Sequence, residues 1–426
     1  MRTFTPRQTR EQTRCGLGFA RKASLEVYLA SQVGNENRAN GNSVPLRRGL
    51  DWAIALLGRL GCLLGPRFPN LPLRSITYHM DYRISPEVRI DLPTIDVHAH
   101  AIVPATLEAM AAAHPDYGPV LQEKDGRRYL HYPGRSNLGP LPEPIFEPDL
   151  RLETMDSQKV DIQVIAIPPP NFHYHVPANV GSDFARIQND ALANLSDSRP
   201  DRFHWFATLP LQAVPAALEE IERVQGHERM RGVQIGTNVD GTDLDDPTLD
   251  SVWEALASAN LPVWLHPDQR AIAGADRLSD FYLQNLVGLP MDSTIAAARL
   301  IFGGVLKRHP DLRFGLVHGG GFSPFQVGRW DHGWSVRPEP KEHIGGQPPS
   351  TYYRQLYFDT LTHNRASLLL LGERVGWSHV MLGTDFPFDM AEDDPVARVE
   401  EAGLDPSDLR SVLEGTAQGF LRPTAP

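Results

Sequence analysis

Apolar residues occur along most of this chain in short runs that alternate with stretches of helical periodicity. Runs of about 4–8 β-branched, aromatic and aliphatic residues are typical of strands, and several are apolar throughout, as expected of a parallel sheet buried on both faces. Between them lie amphipathic segments such as "VPAALEEIERVQG" and "DPTLDSVWEALASAN". The pattern predicts eight strands, over residues 93–100, 160–169, 203–210, 230–238, 261–267, 312–320, 355–363 and 379–387.

Eight strand–helix units over roughly 300 residues predict an α/β fold, the (β/α)8 TIM barrel. The alternative is a doubly wound open sheet, but its glycine-rich phosphate turn after the first strand is missing from "HAHAIVP". A long connection, residues 101–149, follows strand 1, and its segment "VLQEKDGRRYLHY" places Asp-Gly between two strand-like arms. We therefore expect a hairpin-containing insertion after strand 1.

Residues 1–80 differ from the rest of the 426-residue chain. They are rich in arginine, and their one apolar run, "LDWAIALLGRLGCLLG", is interrupted by Arg59 and too short to span a membrane. We interpret them as a basic extension with no catalytic role, either disordered or preceding a native start at Met80; a transit peptide or membrane-surface helix is the alternative. Residues 81–426 are expected to form the barrel domain, without stable membrane insertion.

The charge distribution limits the kind of partner that the chain can bind. The formal net charge is −11, but residues 1–80 carry +8 and residues 81–426 carry −19. Such an acidic body favours small-molecule partners over nucleic acid. The two cysteines, Cys15 and Cys62, both lie in the extension, so the barrel has no disulfide framework, cysteine nucleophile or cysteine zinc ligand. This favours a reducing, cytoplasmic location.

Histidine and aspartate residues end four of the predicted strands. His98 and His100 close strand 1, and their spacing of two directs both rings to one face. Strands 5, 6 and 8 end at His266, His318 and Asp385. Because the carboxyl ends of barrel strands meet at one mouth, these side chains should converge there, and a divalent ion would offset their desolvation. Imidazole and carboxylate suit zinc, our first expectation, or manganese or iron.

Spacing alone is weak evidence for a metal site. A single strand-end histidine is more often a satisfied core or loop residue, and "HYH" at 173–175 has the same spacing in a loop-like context, where we expect a pocket wall or a solvent face. Joint placement on four strands is what favours a metal. Barrel hydrolases with two metals commonly bridge them with a carboxylated lysine ending strand 4, but here that strand ends "QIGTN" and none of the five lysines closes a strand. We therefore expect a mononuclear site.

The motifs "DVHAH", "WLHP", "LVHGGG", "GRWDHGW" and "MLGTDFPF" together resemble the amidohydrolase-related superfamily, specifically its metal-dependent decarboxylase branch. The resemblance runs from about Pro93 to the C-terminus. It implies a metal ion held by four ligands, His98, His100, His266 and Asp385. It also implies that His318 is the catalytic acid/base. The sequence leaves open whether metal-hydroxide adds first or the proton comes directly from Asp385 or His318.

The resemblance further implies how a substrate is held. Arg329 matches an arginine that in the family binds a substrate carboxylate, often across a homodimer interface; an exposed helix arginine paired locally with Asp331 is the alternative. Phe281 stands where a close relative has a tryptophan that walls the pocket. A second substrate-binding arginine is replaced, because Gly139 aligns there and Arg135 is displaced by several residues. This departure leaves the substrate open.

The sequence thus predicts a mononuclear metal-dependent non-oxidative decarboxylase of a small unsaturated or aromatic carboxylic acid. A metal-dependent hydrolase of a lactone, ester or amide, using the same site, is the alternative. A barrel that has lost catalysis and serves as a binding or scaffold protein is a third reading, against which the complete ligand set argues. The expected partners are a small-molecule carboxylate substrate and a second copy of the chain.

Overall fold

The computed structural model describes residues 93–134 and 137–423, so the expectations for residues 1–80 and for Arg135 lie outside the described residues. Eight of the described strands form the main sheet: β1 Ile95–His100, β5 Ile162–Ala166, β6 Phe203–Ala207, β7 Met230–Gly236, β10 Val263–His266, β11 Phe314–Leu316, β12 Tyr357–Asp359 and β13 Val380–Met381. They are parallel neighbours in that order. All eight strands predicted from the apolar runs are therefore confirmed.

Backbone hydrogen bonds join the first strand to the segment that follows the last one. The N–H of Val97 donates to the carbonyl of Leu382 at 3.0 Å, and that of His100 donates to the carbonyl of Phe386 at 2.7 Å. The N–H of Asp385 donates in turn to the carbonyl of His98 at 2.8 Å. These bonds close the sheet, so the predicted (β/α)8 barrel is confirmed.

Helices connect the strands on the outside of the barrel, and several begin at a proline, whose missing N–H is not needed in a first helical turn. The α-helices are α1 Pro104–Ala113, α2 Pro148–Ser157, α3 Ala178–Ser198, α4 Val214–Val224, α5 Asp250–Ser258, α6 Leu289–Phe302, α7 Val305–Arg308, α8 Ser323–Val336, α9 Pro349–Tyr353, α10 Arg365–Val375, α11 Pro395–Glu401, α12 Pro406–Arg410 and α13 Thr416–Phe420. No helix among the described residues combines the length and the apolar character needed to cross a bilayer.

The insertion after β1 contains a small antiparallel sheet of β2 Val120–Lys124, β3 Arg127–His131 and β4 Leu138–Leu141. Asp125 and Gly126 form the two-residue turn between β2 and β3, both with positive φ, of 53° and 69°. This turn matches the right-handed twist of the two strands, and it confirms the hairpin predicted from Asp-Gly. A further short pair, β8 Asn238–Val239 and β9 Thr242–Asp243, follows β7.

An apolar cluster fills the barrel below its carboxyl-terminal mouth. Trp264 lies at its centre, with its ring 6.3 Å from that of Phe206 and 5.7 Å from that of Phe420. The same indole lies 6.3 Å from the ring of His98. This packing excludes water from the side of His98 that faces the barrel interior, so the polar groups at the mouth pack against apolar side chains.

Candidate metal centre

Four ligand-type side chains meet at the mouth of the barrel. His98 and His100 belong to β1, His266 is the last residue of β10, and Asp385 follows β13 by four residues. One nitrogen or oxygen from each lies within 4.8 Å of the others, and all four residues are buried. Of the four strands whose ends were predicted to converge, β1 and β10 supply members of this cluster and β13 precedes its aspartate. His318, which follows β11, lies beside the cluster.

Local backbone geometry places the two loop residues of the site. β11 ends at Leu316 and β13 at Met381, so His318 and Asp385 lie in the loops beyond these strands and not at their ends. Both residues have positive φ, 56° for His318 and 62° for Asp385. A non-glycine residue held in this region costs about 1–3 kcal/mol, and such residues cluster at functional sites.

Three imidazole rings present the same nitrogen to the centre of the cluster. Nδ1 of His98 lies 2.8 Å from Oδ2 of Asp359, Nδ1 of His100 lies 3.2 Å from the carbonyl of Ile167, and Nδ1 of His266 lies 2.9 Å from the carbonyl of Pro267. Each of these acceptors favours a proton on Nδ1. Each ring can then direct the lone pair of its Nε2 toward the cluster.

The atoms that face one another lack hydrogen bonds. Nε2 of His98, His100 and His266 and Oδ1 of Asp385 are buried and make no hydrogen bond with any described residue. Oδ1 of Asp385 lies 3.3 Å from Nε2 of His98 and 3.1 Å from Nε2 of His100, but neither contact has hydrogen-bond geometry. Four buried polar atoms without partners are costly unless a cation binds them. The residues therefore fit one divalent ion held by three nitrogens and one oxygen.

The electrostatics of the cluster favour a bound positive charge. Burial raises the pKa of Asp385, but His98 and the other imidazoles more than offset it and hold that pKa well below its usual range. Burial lowers the pKa of His98, yet Asp385 and Asp359 raise it to about 10. Burial lowers the pKa of His100 and, more strongly, that of His266, so both remain neutral and keep a lone pair on Nε2. The carboxylates thus hold one positive charge here, a proton or a metal ion.

His318 lies next to the four-residue cluster and on the wall of a cavity. Its Nε2 is 3.5 Å from Oδ2 of Asp385, and its ring centre is 5.4 Å from that of His98 and 5.1 Å from that of His266. The cavity has a volume of about 440 Å³ and a largely apolar wall, which includes Leu289, Phe322, Leu361 and Leu371. A larger groove, of about 670 Å³, lies by α1 and α3 and contains no member of the cluster.

The two residues expected to bind substrate lie outside this cavity. Phe281 is 86 % exposed, while its neighbour Tyr282 lines a small adjoining cavity with His266 and Asp385. Arg329 is exposed on α8 and makes no ion pair or hydrogen bond with any described residue. The local partner considered for it, Asp331, accepts instead from the N–H of Ser350 at 2.9 Å. Both substrate-binding assignments therefore remain predictions.

His173 and His175, the histidines of "HYH", are not part of the cluster of ligand-type residues that the described part of the chain forms. His173 is buried, with its ring 4.8 Å from that of Phe184. It does not form part of a solvent face, so that half of the expectation is wrong, and its role as a pocket wall stays a prediction. His175 is partly buried and lies 3.2 Å from a guanidinium nitrogen of Arg270.

Two buried carboxylates at the site are not singled out by the sequence patterns. Asp96 accepts from the N–H of His98 at 3.0 Å and from Oγ1 of Thr384 at 2.7 Å, so it joins the first strand to the residue before Asp385. Asp359 accepts from Nδ1 of His98. Asp359 could have been found by the reasoning that selects Asp385, because it is also a carboxylate at the end of an apolar run, in "QLYFDT".

The family model described as amidohydrolase matches residues 95–422. The chain belongs to this amidohydrolase family. The resemblance drawn from the five motifs is thereby confirmed.

The relatives of this chain include decarboxylases. The 2-amino-3-carboxymuconate-6-semialdehyde decarboxylase of Dictyostelium discoideum is 33 % identical over 277 residues, which cover 65 % of this chain and 77 % of that protein. The γ-resorcylate decarboxylase of Rhodococcus jostii is 30 % identical over 258 residues, covering 57 % and 77 %. The sequence-based prediction that the chain resembles metal-dependent decarboxylases is confirmed.

A solved structure supports the fold. The dihydroxybenzoic acid decarboxylase from Polaromonas sp., with bound manganese and the inhibitor 2-nitroresorcinol, matches with a TM-score of 0.64 at 21 % identity. The match covers 77 % of this chain and 96 % of that one. At this identity the likeness establishes the shared barrel alone.

Proposed function

We propose that this member of the amidohydrolase family is a mononuclear metal-dependent carboxy-lyase that decarboxylates a small unsaturated or aromatic carboxylic acid without oxidation. One observation carries the proposal: three imidazole nitrogens and one carboxylate oxygen, all buried and without hydrogen bonds, face one another beside a cavity. Relatives that are 33 % and 30 % identical are decarboxylases, which favours this reaction over hydrolysis.

His98, His100, His266 and Asp385 would hold the ion. When bound, the ion would supply Lewis acidity that attracts the oxygen atoms of the substrate. Zinc is our first proposal, since it commonly takes four nitrogen and oxygen ligands. Manganese, which the decarboxylase from Polaromonas sp. contains, is the alternative. A single ion is proposed because the cluster offers one set of four ligands and no lysine.

The chain's own residues would move the proton that replaces the carboxylate. In decarboxylation the bond from carbon to carboxylate breaks, carbon dioxide leaves, and a proton is added to that carbon. We assign this proton to His318, because its imidazole borders the cavity and an imidazole can both accept and donate a proton. Asp385, whose Oδ2 lies 3.5 Å from Nε2 of His318, is the alternative carrier.

The cavity wall fits the apolar part of a planar substrate. Its apolar side chains, among them Phe322 and Leu361, would pack against a ring or conjugated chain and exclude water from it. Among the described residues that line this cavity there is no lysine or arginine. The ion would therefore be the positive charge that attracts the substrate carboxylate. A second positive charge near the substrate would have to come from residues outside this cavity.

We propose that a homodimer supplies that charge through Arg329. Phe325, on the same helix α8, is 76 % exposed, and Phe281 is 86 % exposed. A contiguous patch of exposed apolar side chains marks a contact surface, and we propose that these two rings belong to one such surface. A second copy packed on this surface would bury both rings and direct Arg329 of one chain toward the cavity of the other, where its planar guanidinium suits a carboxylate.

Alanine in place of Arg329 is expected to raise KM about 10- to 100-fold, with a smaller change in kcat, because a charge-assisted hydrogen bond contributes roughly 1.5–3 kcal/mol. Steady-state kinetics would measure this change, and light scattering would report the oligomeric state. Arg337→Ala is the matched control, since Arg337 follows α8 and pairs with Glu339 on the surface. A dimer in which Arg329→Ala leaves KM unchanged would contradict the assignment.

The metal-loaded protein is expected to release carbon dioxide from one or more members of a panel of carboxymuconates and hydroxybenzoates. Elemental analysis would identify the ion, and protein treated with a chelator is the control. Opening of a lactone or ester without carbon dioxide would overturn the proposal in favour of a hydrolase.

The same assay on a chain that begins at Met80 tests our proposal that residues 81–426 form the catalytic domain and residues 1–80 have no catalytic role. A cytoplasmic location, proposed from the cysteine content, is tested by cell fractionation.

A further inference from the structure

Asp359 is a fully buried carboxylate that contacts two of the site's histidines at once. It ends β12 with no exposed surface. Its Oδ2 lies 2.8 Å from Nδ1 of His98 and accepts from the N–H of His318 at 2.9 Å. Its Oδ1 accepts from the N–H of Gly319 at 2.7 Å and from that of Leu361 at 3.2 Å. Four donors therefore use the acceptor capacity of one carboxylate.

The first of these contacts determines which nitrogen His98 presents to the cluster. A carboxylate only accepts, so its bond to Nδ1 places the proton of the neutral ring on that atom. The lone pair then lies on Nε2, which faces Asp385 Oδ1 across 3.3 Å. If the proton sat on Nε2, His98 would direct a hydrogen at the position where the ion is held.

The backbone contacts hold the turn that carries His318. This residue has a φ of 56°, and the three glycines that follow, at 319, 320 and 321, have φ of 58°, 71° and 64°. Four successive residues in the left-handed region form an unfavourable turn for which glycine is needed at most positions. A Cβ added to Gly321, for example, would overlap the carbonyl oxygen of Pro290. Asp359 binds two successive N–H groups at the start of this turn, and so stabilises the backbone from which the His318 ring projects.

We infer that Asp359 is a positioning residue that sets, through one carboxylate, both the nitrogen that His98 offers to the ion and the place of the His318 ring. Oδ2 alone contacts both histidines, so a change at this atom reaches the ligand and the proton carrier together. The inference rests on the proposed function, since it takes His98 as a ligand and His318 as the proton carrier. It predicts two separate defects when the carboxylate is removed.

Asp359→Asn is expected to weaken zinc or manganese binding about 10- to 100-fold, the effect usual for losing a carboxylate that orients a metal-binding histidine. With metal restored to saturation, kcat should still be reduced and its pH profile shifted, because the amide directs N–H at other N–H groups and displaces His318. Asp292→Asn is the matched control. Asp292 is also a buried carboxylate, but it accepts from Thr237 and Asn238 and contacts neither histidine.

Competition with a chelator measures the metal affinity, and steady-state kinetics give the pH profile. Asp292→Asn should match the wild type in both, even if its melting temperature falls as far as that of Asp359→Asn. Asp359→Glu should recover part of the metal affinity, because it restores the charge. Loss of thermal stability in Asp359→Asn with unchanged metal affinity and an unchanged pH profile would overturn the inference and leave a purely structural role.

A measurement on the wild-type chain tests which nitrogen His98 offers to the ion, even if the variants fail to fold. In the zinc-loaded protein, proton–nitrogen correlation spectra should show His98 protonated on Nδ1 and bound through Nε2. Ligation through Nδ1 would overturn the inference. Protein that shows the expected His98 state but releases no carbon dioxide would overturn the proposed function while supporting this role for Asp359 toward the ligand.

Discussion

Alanine in place of His318 is expected to abolish most turnover while leaving the metal bound. The imidazole borders the cavity but lies outside the four-residue ligand set, with its Nε2 3.5 Å from Oδ2 of Asp385. Loss of a positioned general acid typically reduces the rate about 10²–10⁴-fold. We therefore expect kcat to fall by that factor, measured by carbon dioxide release, and elemental analysis to show the same metal content as in the wild type.

The backbone at His318 calls for a second variant. With a φ of 56°, this position favours asparagine over alanine, so His318→Asn separates loss of the imidazole from strain in the turn. Both variants should lose turnover equally. His332→Ala, an exposed histidine on α8, is the control and should retain full activity. Loss of metal in His318→Asn would make His318 a ligand, and unchanged kcat would exclude it as the proton carrier.

The barrel could be predicted from the sequence because its strands are buried on both faces. Runs such as "LPVWLHP" become β10, whose residues Val263 to His266 are all buried, so an uninterrupted apolar run and a single polar end residue were strong signals. The ends of strands were less certain. β13 is only two residues long, and Asp385 is held by backbone bonds to β1, which a pattern along one segment does not show.

The ligand set could be predicted because several distant strands each end in or near a ligand-type residue, and together these residues indicate one site. The directions of the substrate-binding side chains, in contrast, depend on the local backbone conformation. Phe281 and Tyr282 both have positive φ, of 56° and 61°, a conformation that aromatic residues rarely adopt and that turns Phe281 to solvent. Arg329 is placed by the face of α8 on which it falls. Asp359 is defined by contacts to residues 41 and 261 positions away, which only the folded chain brings together.

Alanine in place of His266 is expected to remove both the metal and all measurable turnover. His266 supplies one of three imidazole nitrogens, and its loss leaves two imidazoles and one carboxylate in a site suited to four ligands. Elemental analysis should give about one metal ion per wild-type chain and almost none for the variant. His173→Ala is the matched control, because His173 is equally buried but lies outside the cluster. It should lose stability and keep its metal.

The same variant also tests whether the ion contributes to folding. Without a cation, Nε2 of His98 and His100 and Oδ1 of Asp385 are buried and lack hydrogen bonds, so the chain should be least stable in that state. Binding to the folded state alone stabilises a protein by about 2.7 kcal/mol when the free ion is at 100 times its Kd. Chelation should therefore lower the melting temperature of the wild type and of His173→Ala, and leave His266→Ala unchanged. A wild-type protein purified without metal, whose melting temperature a chelator does not change, would contradict the metal site and revive the reading of a non-catalytic barrel.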